Sequence, residues 1–418
     1  MSSQQPQARP AAALGTANLD FEARVDWTRL RDYRLSRARA ALEASDLGAL
    51  LVFDMNNIRY LTSTHIGEWA RDKLCRFALL TRTGGPILWD FGSAAKAHRL
   101  HSPWLPPEDL RAGMTGMRGS VAPDAGLFAD TASMLASILR EHGVADLPLG
   151  MDLTELPMVF ALQDEGIRVA DGQQAMLEAR RIKSPDELML LSTAAAMVDG
   201  VYQTIAEQLK PGIRENDVVA LASDMLYRMG SDDVECINAV SGERCNPHPH
   251  VFADRIIRPG DQAFFDIIHA YNGYRTCYYR TFSVGRASPS QRDAYAKARE
   301  WMDAAIALVK PGVTTDEIAR AWPKAQEFGF DSEMEAFALQ FGHGLGLALH
   351  ERPIISRLNS LEHPEPIEAG MVFALETYCP ADDGVSAARI EEEVVVTADG
   401  TKVITLYPAD ELVVTNAY

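Results

Sequence analysis

Four stretches of this chain place ligand-type or proton-transferring side chains where apolar residues would be expected. "FFDIIHAYNGYRTCYYRTF" (264–282) reads as a hairpin with Asp266 on its first strand. With Asn272-Gly273 as a two-residue turn, Cys277 faces Ile268 and shares a sheet face with Asp266. The two side chains are then diagonal neighbours, close enough to share an ion. A single carboxylate in the apolar run "QAFFDII" needs such a partner. In "FGHGLGLALHERP" (341–353), glycines flank His343 and let backbone approach it closely, and His350 and Glu351 follow. In "GMVFALETYCP" (370–380), Glu376 interrupts an apolar strand pattern. In "ARIEEEVVVT" (388–397), Glu391 and Glu393 lie on one face and Glu392 on the other. At least one of these acids should face inward, while Glu392 and Glu393 also fit a charged strand end.

Asp266, His343, Glu376 and Glu391 thus form a set of one nitrogen and three carboxylate donors. Such a set suits manganese, iron, cobalt or zinc. Without a cation, three neighbouring acids repel and at least one stays protonated. Cys277 has three readings: a thiolate ligand, a nucleophile with an imidazole base, or a neutral buried filler.

The elements that must position these residues are legible from periodicity and turn chemistry. "LSRARAALEASDLGAL" has helical spacing, "ALLVFD" follows as a buried strand, and "NIRYLT" continues from it. "RFALLTRTGGPILWDF" is a hairpin turning at Gly84-Gly85, "ADTASMLASILREHGV" a helix stopped at Gly143, and "PLGMDL" a further strand. A second unit opens at Ser184, an N-cap with Pro185 at the first helical position and Glu187 completing a capping box. A helix at "ENDVVALASDMLYRMG" and strands to about 283 follow. Helices at "PSQRDAYAKAREWMDAAIALV" and "TTDEIARAWPKAQEFG" then precede a strand-rich end. Pro211-Gly212 and Pro311-Gly312 each follow a long helix, which reads as an internal repeat with a cleft between its halves. The expected organisation is α+β: an N-terminal arm (1–22), an α/β domain (23–178) and a pseudo-symmetric catalytic domain (179–418).

Composition narrows the class. A length of 418 residues favours two domains over one. The net charge of −18 argues against nucleic acid or an anionic membrane as a partner. Five cysteines without a CxxC pair argue against a disulfide framework and suit a reducing cytoplasm. The N-terminus lacks the basic start and apolar core of a secretory signal, and no apolar run approaches the ~20 residues of a membrane span.

The order of these motifs (Asp266, the position eleven residues on, GHGxGxxxHExP, Glu376 and "RIE") resembles the pita-bread metallopeptidase family. That family includes methionine aminopeptidase, prolidase, aminopeptidase P and creatinase. The resemblance covers about residues 180–410, and more loosely the N-terminal domain through "FDMNNIRYLT". It implies five metal ligands at Asp266, Cys277, His343, Glu376 and Glu391. It implies active-site histidines at His350 and in "SGERCNPHPH", with His248 favoured over His250. Arg280-Thr281 matches the "RT" that ends the family hairpin. It also implies a homodimer whose N-terminal domain reaches the partner's site. Cys277 is the departure, because the family has a bridging aspartate there. A single soft donor cannot bridge two ions as a carboxylate does. The expectation is therefore one divalent ion (Fe, Mn, Zn or Co), with a metal-free site as the alternative.

"VFDMNNIRYLT", "ILWDF" and "SGERCNP" lean toward the family's small-molecule branches: creatinase, ectoine hydrolase and dimethylsulfoniopropionate lyase. The lyase branch keeps the second aspartate and has an aspartate near the position of His350, so His350 points to hydrolysis. The expected function is hydrolysis of a C–N bond in a small zwitterionic or cationic metabolite. Water is activated by Glu376, by one metal, or by both. His350 stabilises the oxyanion, and His248 orients substrate or shuttles a proton. His250, Arg280, Trp69 and Arg76 are expected on the substrate side, the last two from a partner's "GEWARDKLCRF" or as an ordinary surface loop. The alternatives are an Xaa-Pro peptidase, a C–S lyase acting on a sulfonium substrate, and a non-catalytic binding module.

Overall fold

The computed structural model describes residues 25–67, 74–113 and 119–418. The expected N-terminal arm (1–22) and Trp69 lie outside the described residues. The chain begins with α1 (Trp27–Ala44), β1 (Ala49–Val52), α2 (Met55–Thr62), β2 (Phe77–Thr81), β3 (Pro86–Asp90) and α3 (Gly92–His101). It continues with β4 (Leu110–Ala112), α4 (Leu127–Glu141), β5 (Leu149–Met151), α5 (Leu156–Asp164), β6 (Val169–Asp171) and α6 (Gln173–Arg180). The six strands form one mixed sheet in the order β4-β3-β2-β1-β5-β6. "NIRYLT" does not continue strand β1. The Asp54 side chain accepts from the backbone N–H groups of Asn56 and Asn57 and starts α2, so a helix cap overrides the strand pattern.

Beyond Ser184, the elements are α7 (Pro185–Gln208), α8 (Glu215–Met229), β7 (Asp233–Ser241), β8 (Gln262–Tyr271), β9 (Tyr274–Val284) and α9 (Pro289–Leu308). Then come α10 (Thr315–Ala319), β10 (Phe341–Gly344), β11 (Glu351–Ile355), β12 (Val372–Pro380), β13 (Ala387–Val396), β14 (Thr401–Val403) and β15 (Val413–Thr415). They make two sheets, β15-β9-β8-β7 and β11-β10-β12-β13-β14. The capping box at Ser184 and Glu187 is formed. By length and composition α7 could cross a membrane. Its buried face is instead committed to the first sheet, where the Tyr202 hydroxyl donates to the carbonyls of Phe265 (2.6 Å) and Tyr278 (2.8 Å). The helix expected over "TTDEIARAWPKAQEFG" stops at Ala319 and resumes only as a short 3₁₀ turn at Ala325–Phe328. Pro323 lacks the N–H that would carry the helix on.

The internal repeat is visible bond by bond. Gly212 N donates to Ile257 O (2.9 Å) and Gly312 N to Ile367 O (3.1 Å). Gly260 N donates to Val284 O (2.7 Å) and Gly370 N to Val396 O (2.9 Å). Each half therefore ends in a long hairpin, β8–β9 in the first and β12–β13 in the second. α7 packs on the first hairpin and α9 on the second. The inner faces of the two hairpins meet, and the chemistry-bearing residues lie there.

Candidate active site and metal centre

The hairpin register is the expected one. Asn272 and Gly273 form the turn, both at positive φ (48° and 86°), and Ile268 pairs with Cys277. Asp266 lies opposite Tyr279. In the other half Glu376 lies opposite Glu391, and β10 brings His343 alongside because Phe341 pairs with Glu376. The fold therefore gathers Asp266, Cys277, His343, Glu376 and Glu391, all buried. Cys277 Sγ donates to Asp266 Oδ1 (3.5 Å) and is 3.8 Å from Glu391 Oε2. His343 Nε2 is 3.9 Å from Glu376 Oε1 and 4.0 Å from Glu391 Oε1.

A cavity of about 540 Å³ opens onto this cluster, lined in part by Asp266, Cys277, Tyr279, Glu376, Arg389, His250 and His350. Ile268, Phe337, Phe341, Leu349 and Ile354 supply much of the remaining wall. The His343 and His350 rings lie 4.5 Å apart. Of the two histidines in "NPHPH", His250 lines the cavity. His248 is buried behind two residues of the cavity wall, with its Nε2 3.0 Å from Tyr279 Oη and its ring 4.1 Å from that of His250, so the favoured position is the more remote one.

Two expected substrate contacts are corrected. Arg76 is 3% exposed and committed to Asp90, with further bonds to Thr64 Oγ1 (2.9 Å) and Thr64 O (3.1 Å). Its charge is matched by Asp90 within the N-terminal sheet region rather than displayed on a surface loop. Arg280 is equally buried, donating to the carbonyls of Tyr407 and Glu391 and to Glu392 (2.9 Å). It braces the back of the site. Glu392 and Glu393 are not a solvated strand end either. Glu392 pairs with Arg280 and Arg299, and Glu393 Oε1 accepts from Thr276 Oγ1 and Cys277 N (2.6 Å each).

Three contributors escaped the sequence reading. Arg389 pairs with Glu376, donates to Ala338 O (2.8 Å) and stacks over the Tyr279 ring at 4.4 Å. Strand alternation puts it on the face of Glu391, so its place in "ARIEEE" was a usable signal. Tyr279 follows from the hairpin register in the same way. Asn238, which donates to Asp266 Oδ2 (2.9 Å), arrives by the pairing of β7 with β8 and has no local signal.

The electrostatics follow from burial. Burial lifts the Asp266 carboxyl to about 6, opposed by the Asn238 hydrogen bond and by Arg389. Burial lifts Glu376 to about 7 against the pull of Arg389. Glu391 rises well above the usual range through burial and then through Glu376 and Asp266. The Cys277 thiol is raised by burial and by Asp266. Burial lowers His343 to about 3 and His250 to about 4, so both imidazoles are neutral.

The donor set fits one divalent transition metal. His343 Nδ1 donates to Gly344 O (2.9 Å), which leaves a lone pair on Nε2. That Nε2 and Glu391 Oε1 are buried without a hydrogen-bond partner among the described residues. One donor atom each from Cys277, His343 and Glu391 lie within 4.8 Å of one another. The set favours one ion over a carboxylate-bridged pair, because the thiol at position 277 lacks the two separate oxygens with which a carboxylate spans two ions.

Residues 190–398 match metallopeptidase family M24. The dimethylsulfoniopropionate lyase DddP of Roseovarius nubinhibens is 27% identical over 402 residues, covering 92% of this chain and 87% of that protein. The probable dipeptidase PepE of Mycobacterium tuberculosis is 32% identical over 264 residues, 62% of this chain and 67% of its own. Among solved structures, the dipeptidase PepE of Mycobacterium ulcerans superposes with a TM-score of 0.74 at 26% identity, covering 94% of this chain and all of that one. The Xaa-Pro dipeptidase of Bacillus anthracis does so at 0.73 and 20% identity, covering 92% of this chain and 99% of that one, a likeness of fold. With its α+β pita-bread architecture and a family match over half its length, the chain belongs to metallopeptidase family M24.

Proposed function

We propose that this chain hydrolyses a C–N bond in a small zwitterionic or cationic metabolite. The observation that carries the reading is the buried Glu376–Arg389 pair on the wall of the cavity, beside His250 and His350. With its carboxyl lifted to about 7, Glu376 is partly ionised at neutral pH and basic enough to take a proton from water. The water oxygen bonds to carbon, the C–N bond breaks, and the proton held by Glu376 passes to the leaving nitrogen. Arg389 Nε and Nη1 are buried without partners among the described residues, so its guanidinium can hold a substrate carboxylate while Nη2 orients Glu376. His350, kept neutral by burial, offers an N–H to the developing oxyanion. His250 orients the substrate, and His248 acts through Tyr279. A divalent cation held by the donor set would supply Lewis-acid polarisation and a more acidic bound water. The largely apolar remainder of the cavity favours a compact ligand over an extended peptide.

The test is amine or ammonia release from a panel of small amide, amidine and guanidino zwitterions by wild type and Glu376→Gln. Release lost in the variant supports the reading, and no release from any member overturns it. A second reading, C–S bond cleavage in a sulfonium substrate, is favoured by the near full-length likeness to a dimethylsulfoniopropionate lyase. Dimethyl sulfide in the headspace would replace the first reading with it. Cleavage of Xaa-Pro dipeptides would instead establish a peptidase. The proposal includes a homodimer, checked by sedimentation, with Trp69 as its expected contact to the partner's site.

A further inference from the structure

The hydrogen-bond balance separates the five gathered donors into two groups. One oxygen of Asp266 and one of Glu376 are each held by a nitrogen donor that stays when an ion binds, whereas the Glu391 side chain has only the Cys277 thiol, 3.8 Å from Oε2, among the described residues. Asn238 Nδ2 and Cys277 Sγ donate to the two oxygens of Asp266, and Arg389 donates to Glu376. His343 Nε2 and Glu391 Oε1 are fully buried and served by nothing among the described residues. An unserved lone pair in the interior is costly, and two converging ones call for a shared partner. The third donor near both is Cys277 Sγ, and the three lie within 4.8 Å of one another.

We infer that this chain holds a single divalent cation through Cys277 Sγ, His343 Nε2 and Glu391, with Asp266 and Glu376 outside the coordination shell. Three protein donors leave a fourth position for water or substrate. Cys277 is the one of the three that lines the cavity, which puts the centre at its wall. Tetrahedral zinc with ordinary bond lengths sets its donors about 3.4–3.5 Å apart. The sulfur is 3.8 Å from Glu391 Oε2 and His343 Nε2 is 4.0 Å from Glu391 Oε1, with one donor atom of each residue within 4.8 Å of the others, so a turn of the Glu391 carboxylate and small side-chain shifts close the site. Coordination exchanges the S–H bond for a metal–sulfur bond and releases the proton to solvent, which leaves Asp266 with its Asn238 bond in place of the thiol's. A thiolate donor selects zinc, iron(II) or cobalt(II) over manganese, which prefers an all-oxygen and imidazole shell. The backbone beneath the sulfur is held for the task, since Cys277 N donates to Glu393 from the opposite hairpin. This inference concerns binding and holds whichever bond the enzyme breaks.

The test is titration of metal-free full-length protein with Co²⁺, followed by absorption. The expected result is saturation at one equivalent, with visible bands of four-coordinate cobalt and a near-ultraviolet thiolate-to-cobalt charge-transfer band. Cys277→Ser loses the charge-transfer band and weakens Zn²⁺ binding by more than the ~10–100-fold typical of an outer-shell change. Mn²⁺ binding changes far less. Cys236→Ser, which removes the other cavity thiol, keeps the band. Asp266→Asn keeps it as well. Cys277→Asp raises the binding ratio toward two ions per chain, because a bridging carboxylate is restored. Saturation of wild type without a charge-transfer band, or at two equivalents, overturns the inference. Both outcomes are read on the unmutated protein, so a variant that fails to fold does not obscure them.

Discussion

The two hairpins that meet at the site occupy equivalent places in the repeat and bring unequal chemistry to it. In β12–β13 the facing residues are Glu376 and Glu391, with Arg389 on the same face and His343 delivered by the neighbouring strand. In β8–β9 the facing residues are Asp266 and Tyr279, with Cys277 diagonal to the acid. Tyr279 belongs to a neutral network with His248 (3.0 Å) and Asn238 (3.3 Å). The second half carries the unserved donors and the acid–guanidinium pair, while the first has turned its acid inward onto an amide and a thiol. The difference shows how a duplicated fold can keep its frame while one half takes over the reactive chemistry.

The sharpest way to break this contrast is to neutralise the matched acids. Glu376→Gln is expected to lower the rate of amine release by ~10²–10⁴-fold, the range for a lost general base. Asp266→Asn is expected to cost less than ~10-fold, because an amide oxygen still accepts from Asn238. Equal losses in the two variants would mean that the halves share the chemistry and that the asymmetry is only structural.

Arg389→Ala probes the cation that the second half has and the first lacks. It strands Glu376 as a buried acid without its partner, which costs roughly 3–5 kcal/mol in denaturant unfolding. Arg389→Lys recovers little of this, since an ammonium lacks the fork that reaches Glu376 and Ala338 together. An Arg389→Ala protein as stable as wild type would show that Glu376 is neutral in the folded state without help.

Glu393 joins the halves, and its titration measures the joint. Burial lifts its carboxyl from the usual 4.5 to about 8. The folded state therefore keeps a proton that the unfolded chain releases near 4.5. Between about pH 4.5 and 8 the unfolded state binds fewer protons, so this group makes stability fall as pH rises. Asp266 and Glu376 add the same sign, up to about 6 and about 7. Thermal unfolding of metal-free protein is expected to show this decline, with Glu393→Gln flattening its upper part by a few kcal/mol at most. An unchanged slope would mean that Glu393 is ionised when folded.

Much of this was legible in the residues themselves. Asn272-Gly273 fixed the hairpin register, and with it the neighbourhood of Asp266 and Cys277, because a two-residue turn leaves one pairing. Strand alternation would have placed Arg389 beside Glu391 had the arginine been weighed with the acids. What local pattern could not supply was which polar groups find partners at a distance. Arg76 and Arg280 read as free cations but are taken by Asp90 and by Glu392, 14 and 112 residues away. Asn238 and His250 depend on how a third strand and a loop close over the hairpin. The misread α2 turned on Asp54, whose cap bonds outweighed the strand pattern of the residues after it.

The smallest expected effect comes from the first half alone. Tyr279→Phe keeps the ring under Arg389 but removes the hydroxyl that meets His248 and Asn238. The loss is about 1 kcal/mol in stability, that of one modest buried network member. Asp266 also loses a donor, so its carboxyl rises further above about 6. The cobalt spectrum is expected to be unchanged, because the Tyr279 hydroxyl bonds to Asn238 and His248 and to none of Cys277, His343 and Glu391 among the described residues. A shifted charge-transfer band would mean that the Asp266 network reaches the ion. Asp266 would then join Cys277 as a first-half partner in coordination, and the line drawn between the hairpins would have to move to include it.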